Sequence, residues 1–129
     1  MPAISDKLLN DGAASPVSHT FSVVSTDGSR GQWAERSSGK LNAFFTLYHE
    51  VKAPSTPKGA YQLKAGMNMP TLETVSGVQV VTRNSSFLLT FNFSPESTEA
   101  ERKDLLAYAT NFLANADVKT SAAKVEPFY

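Results

Sequence analysis

The residues SSFLLTFNF, Ser85 to Phe93, alternate in character. Phe87, Leu89, Phe91 and Phe93 fall on one side, and Ser86, Leu88, Thr90 and Asn92 on the other. A period of two is the signature of a strand with two unlike faces. Earlier segments repeat the theme. AISDKLL is followed by a turn signal at Asn10 to Gly12, then by the β-branched run His19 to Thr26 and a second turn, DGSRG. These predict two strands of a hairpin with a long connection. Gln32 to Ser37 reads as a short strand and Lys40 to Lys52 as a longer one. APSTPKG is a loop, and Gly59 to Met69 pairs back across it. PTLETVSGVQVV opens on a proline and holds one glycine, which predicts a flexible loop that re-enters a strand.

The same alternation sorts the middle strands. Phe45 and Leu47 share a face, as do Tyr61, Leu63, Ala65 and Met67. The opposite positions are Lys40, Asn42, Phe44, Thr46, Tyr48 and Glu50, with Lys58, Ala60, Gln62 and Lys64. One apolar and one mixed face imply an antiparallel sheet covered on one side. The pattern then changes period. Thr98 and Glu101 have capping-box spacing, and Leu105, Leu106, Ala109, Phe112 and Leu113 form a helical stripe. A break follows at Asn115 to Asp117, and DVKTSAAKVE predicts a second, weaker helix. Strands first and helices last give an α+β domain occupying residues 1–129, with the sheet to about 96 and the helices after it.

Two short helices cannot cover a sheet of six or seven strands. Apolar area left in water costs roughly 25 cal/mol per Å². A second copy of the chain would supply the missing cover, and edge-to-edge pairing would also remove an exposed sheet edge. The single tryptophan, Trp33, reads equally as a core residue or as an anchor at such an interface.

Composition narrows the chemistry. Hydrophobic residues make up 41% and charged residues 19% of the 129, as in a globular domain. No apolar run approaches the roughly 20 residues of a membrane-spanning helix, and no secretory signal is visible. The absence of cysteine excludes disulfides and thiolate metal sites and fits a reducing cytoplasm. His19 and His49 cannot build a multi-histidine metal site in one chain. The sequons at Asn84 and Asn92 carry no weight without a signal. No nucleophile, acid–base pair, phosphate loop or dinucleotide fingerprint stands out, so neither enzyme nor cofactor is expected.

The net charge is zero, but its distribution is uneven. Residues 30–93 carry seven basic side chains (Arg30, Arg36, Lys40, Lys52, Lys58, Lys64, Arg83) against three glutamates (Glu35, Glu50, Glu73), a net of +4. The polar sheet face would thus present Lys40, Asn42, Thr46, Tyr48, Lys58, Gln62 and Lys64. Lysines neutralise phosphates, a tyrosine stacks an unpaired base, and amides and hydroxyls read base edges. An ordinary solvated face uses the same residue types, although Phe44 and Leu88 make this one unusually apolar.

The segment RNSSFLLTFNFSPESTEAERKDLL resembles the end of the coat proteins of single-stranded RNA bacteriophages, the leviviruses. Arg83 opens the last strand, Phe91 and Phe93 close it, and Ser97-Thr98 and Glu101-Arg102 lead into the helix. ETVSGVQVVTR, GQWAERS and the ending PFY are also similar to family segments. The resemblance implies an N-terminal β-hairpin, a five-stranded antiparallel sheet and two C-terminal helices. Two subunits would share a ten-stranded sheet, each helix pair lying across the partner, and the dimers would close an icosahedral T=3 shell. The helix-free face would bind genomic RNA through Thr46, Tyr48, Gln62, Lys64, Ser86, Leu88 and Thr90. It would also grip an operator hairpin, repressing translation of the replicase. Ser86 stands where the family commonly has a base-stacking tyrosine and Leu88 where it has a polar residue. Stacking would then come from Tyr48 or Phe44, or charge alone would hold the RNA. The segment Thr71 to Val80, with Gly77, would line the shell's openings, and Trp33 and Phe112 would serve the subunit contacts. The expected product is a virion protein assembled in the bacterial cytoplasm, without membrane partners. The alternatives are a dimeric RNA-binding module that does not assemble and, from another class, a small enzyme.

Overall fold

The computed structural model describes residues 2–128, so Tyr129 of the PFY ending lies outside the described residues. Six strands form one antiparallel meander in sequence order: β1 (Lys7–Asn10), β2 (Ser18–Thr26), β3 (Arg30–Glu35), β4 (Phe45–Lys52), β5 (Tyr61–Val75) and β6 (Val78–Phe93). Two helices follow, α1 (Glu99–Ala114) and α2 (Ala116–Lys124). This is the expected fold. The strand count differs from a hairpin plus five because the last two strands, at 15 and 16 residues, absorb segments expected to stand apart.

Turn chemistry places the strands. The Asp11 carboxylate accepts the N–H groups of Ala13 and Val17 at 3.1 and 3.0 Å, closing the β1–β2 connection. Asp27 accepts the Arg30 N–H at 2.9 Å, and Gly28 supplies a φ of 87° in the β2–β3 turn. Between Val23 and Ser25 the β2–β3 register slips, leaving Val24 as a bulge.

Three sequence expectations change. The strand expected from Lys40 starts only at Phe45, because Leu41–Ala43 form a 3₁₀ turn. That turn carries Ala43 into the interior, 2% exposed, which a straight strand from Lys40 would not do. Lys40 and Asn42 are therefore not strand residues. Lys58 also precedes its strand, in a turn closed by the Gly59 N–H to the Thr56 carbonyl at 3.0 Å. The loop expected over Pro70 to Val81 is instead an extended hairpin whose turn is Ser76-Gly77, with φ of 51° and 80°. Positive φ at both positions is the two-residue turn that matches strand twist. The β-branched residues Thr74, Val75, Val78, Val80 and Val81 favour strand on either side. Pro70 is tolerated because β4 pairing ends at Asn68, so no ladder bond to β4 is lost at that position.

The residues up to Asn92 and those from Phe93 form two compact units. In the first, the register aligns Trp33, Leu47 and Met67 across one face. Trp33 is 7% exposed, and its indole N–H donates to the Ser5 carbonyl at 2.8 Å. Within the single chain it is thus a core residue, the first of its two sequence readings. Phe21, Ala34 and Ala43 are the other buried apolar side chains among the described residues, and none is wholly inaccessible. In the second unit the Thr98 hydroxyl accepts the Glu101 N–H at 3.2 Å, and Glu101 accepts the Thr98 N–H at 2.9 Å. This capping box starts α1. Asn115 is the expected break, with an extended ψ of 135°. No described residue of either helix is buried.

Candidate nucleic-acid interface

The face opposite Trp33 is assembled by strand register. Gln32, Tyr48 and Gly66 lie in one row, Ala34, Thr46 and Asn68 in the next, and Arg30, Glu50 and Lys64 in another. Lys52 is opposite Gln62. β6 joins this face through the Gln62 amide, which donates to the Asn92 side-chain oxygen at 3.0 Å. With a period of two, Thr90, Leu88 and Ser86 follow Asn92 on the same side. All three are exposed, Leu88 at 62%. Thr46, Tyr48, Gln62, Lys64, Ser86, Leu88 and Thr90 thus share a surface, as the alternation implied. Lys40, Asn42 and Lys58 do not belong to these rows. The Lys40 ammonium instead donates to the Gln79 carbonyl at 3.0 Å.

Register also brings in residues that sequence reasoning left out. Arg30 belongs to the DGSRG turn by sequence pattern, yet it is the first residue of β3 and pairs with Glu50. Its guanidinium lies 4.4 Å from the centre of the Tyr48 ring. Gln32, Lys52, Asn68 and Asn92 are further polar members of the face. Asn92 follows from the alternation of β6, whereas Gln32, Lys52 and Asn68 join the face through the β3–β4 and β4–β5 register. A pocket of about 250 Å³ opens beside Arg30 and Tyr48, with Val24, Gln32 and Thr46 on its walls. Among the described residues no carboxylate lies within ion-pair distance of Arg30 or Lys64.

Gly66 explains how Tyr48 lies. A Cβ at this position would stand 2.6 Å from the Tyr48 Cε1 and 3.0 Å from the Phe87 carbonyl oxygen. The missing side chain lets the edge of the ring rest on β5. A face made of lysine, arginine, amides, hydroxyls and a lodged ring can bind a polyanion with unpaired bases.

The contact candidates lie elsewhere. Gly77 forms the tip of the β5–β6 hairpin, which the Glu73–Arg83 ion pair braces. Phe112 is 60% exposed on α1, with Leu105, Leu106 and Leu113 also exposed along the helix. His19 bonds Asp11, and no metal-binding group of His, Asp or Glu exists among the described residues.

Known structures agree with this architecture. The virus-like particle of bacteriophage NT-214 matches with a TM-score of 0.87 and 25% identity, over 99% of this chain and 100% of that one. The particle of Beihai levi-like virus 21 matches at 0.86 and 24%, over 99% of each chain. The capsid protein of bacteriophage GA shares the fold at 0.74, with 12% identity over 97% of each chain. No curated protein matches the sequence significantly. The levivirus coat protein family matches residues 2–129, and the chain belongs to that family: it is a phage capsid protein, with a structural rather than an enzymatic role.

Proposed function

We propose that this coat protein pairs with a second copy of itself, closes into an icosahedral shell and holds single-stranded RNA on the polar face of its sheet. The observation that carries this reading is the shortage of core. Among the described residues only four apolar side chains are buried, while Leu105, Leu106, Tyr108, Phe112 and Leu113 of α1 stay exposed. An apolar helix face of this kind needs a cover, and a second copy supplies one by symmetry. The 16-residue strand β6 is the last in the order of the sheet, and pairing it with its symmetry mate would extend the sheet across the dimer. The particles formed by bacteriophage NT-214 and Beihai levi-like virus 21 support assembly.

RNA binding is supported by Lys64, Lys52 and Arg30 among amides and hydroxyls on one face. Affinity would come from many phosphate contacts and would fall with salt. An operator hairpin held on this face would repress translation of the replicase. Assembly in the bacterial cytoplasm and a T=3 shell complete the reading.

The test is expression of the chain alone in bacteria, followed by size exclusion and electron microscopy. Closed particles with nucleic-acid absorbance are expected. A salt-sensitive free dimer would reject assembly and leave the runner-up, a dimeric RNA-binding module. A monomer without bound RNA would reject both.

A further inference from the structure

We infer that Val125, at the C-terminal end of α2, is an anchor side chain that docks on a second copy of the chain. The inference rests on the assembly reading and names one contact within it. α2 ends in a Schellman motif. The Val125 N–H donates to the Ala122 carbonyl at 3.3 Å, and the Glu126 N–H donates to the Ser121 carbonyl at 3.0 Å. The motif needs a left-handed residue where the helix stops, and Val125 takes that conformation with φ of 56° and ψ of 42°. Glycine is the usual occupant, because a Cβ crowds the following carbonyl oxygen in this region. For a β-branched residue the conformation is an outlier.

Val125 is 89% exposed, so within the chain its side chain gains almost no burial in return. The apolar contact that commonly accompanies the motif falls here on Glu126 and Ser121, which are both polar. The Ser121 hydroxyl donates to the Glu126 carbonyl instead, so polar groups hold the turn. Pro127 accounts for the chain leaving the helix but not for a valine at the turn. Strain of this kind is retained at sites that bind. The neighbouring residues indicate what is bound. Phe128, three residues on, is 62% exposed, so the tail presents a second large apolar side chain. Lys124 and Glu126 flank Val125 with opposite charges and leave the turn neutral. A polyanion or an anionic membrane finds no net charge to grip there. A neutral apolar turn suits a protein surface, and a capsid protein meets copies of itself.

The experiment opposes fold to docking. Within the single chain, Val125→Gly removes the crowding and should keep or strengthen the end of α2. It also removes the anchor. Full-length wild type and variant are compared by sedimentation across a dilution series, and amide exchange at Glu126 reports on the helix end. The expected result is roughly tenfold weaker self-association of Val125→Gly, with Glu126 protection kept. Val125→Asn tolerates the left-handed turn but is polar. It should weaken association alike, and it serves if the glycine variant frays. Unchanged or tighter association in a variant with Glu126 still protected overturns the docking role. Weaker association with protection lost in both variants also overturns it, because Val125 would then act through the helix. A wild type that stays monomeric at every concentration overturns the assembly reading and this inference together.

Discussion

The ammonium of Lys40 donates to the carbonyl of Gln79 at 3.0 Å, joining the 3₁₀ turn before β4 to the first turn-proximal residues of β6. A lysine that the alternation assigned to the polar face is thus committed to the long hairpin. Lys64, opposite Glu50 in the sheet, is the lysine left near the centre of that face. Lys64→Ala should weaken RNA binding and reduce the slope of log affinity against log salt by about 0.7, the loss of one phosphate contact on a single strand. Lys40→Ala should change that slope less. Salt titrations of both variants check this, and equal slope changes would return Lys40 to the RNA surface.

Gly66→Ala places a methyl group 2.6 Å from the Tyr48 ring and 3.0 Å from the Phe87 carbonyl. The ring can swing away, but the carbonyl belongs to the neighbouring strand. The substitution should cost about 1–3 kcal/mol in denaturant unfolding, as overpacking does. Tyr48→Ala in the same chain should recover part of that cost. Simple additivity of the two changes would show that the ring is not what the methyl group meets.

Trp33→Ala should destabilise the fold by about 3–5 kcal/mol, the range for deleting a buried large aromatic. Trp33→Phe retains most of the apolar bulk but loses the donor to the Ser5 carbonyl, for a cost of about 1–2 kcal/mol. Unfolding should be compared at one fixed protein concentration, because association contributes to apparent stability. A cost near zero for both variants would reopen the interface reading of Trp33.

The β1–β2 connection should loosen in acid. The Val17 N–H first, then the His19 ring and the Ala13 N–H, hold the Asp11 carboxyl below its ordinary value of 3.8. A depressed carboxyl adds stability that is present above that ordinary value and is lost as pH falls through the lower, folded one. Amide-exchange protection at Val17 should therefore decline below about pH 4 in the wild type. Asp11→Asn should remove the acid limb and lower the protection at neutral pH. Protection of Val17 that stays level through this range would refute the coupling.

Much of the candidate surface could be read from local pattern. The sides of β6, the capping box of Thr98 and Glu101, and the shared face of Thr46, Tyr48, Gln62 and Lys64 depend on residues a few positions apart. Period two and helix-end chemistry act at that range. The breaks were harder to read. Leu41–Ala43 leaves the strand because Ala43 has a place in the interior, and Ser76-Gly77 turns sharply because β5 and β6 continue to pair beyond Pro70.

Local pattern along the chain is enough for the strand-then-helix order, the two-faced sheet and the surplus of apolar helix surface that calls for a partner. Tertiary structure decided which side chains meet. Trp33 became core through Ser5, 28 residues away, and Lys40 was drawn off the face by Gln79, 39 residues away. Arg30 reached Tyr48 because β3–β4 register sets it opposite Glu50, and Gly66 gave that ring its seat. The physical reason is range: alternation is a property of neighbours along the chain, whereas register and burial are fixed by segments that meet only when the sheet has formed.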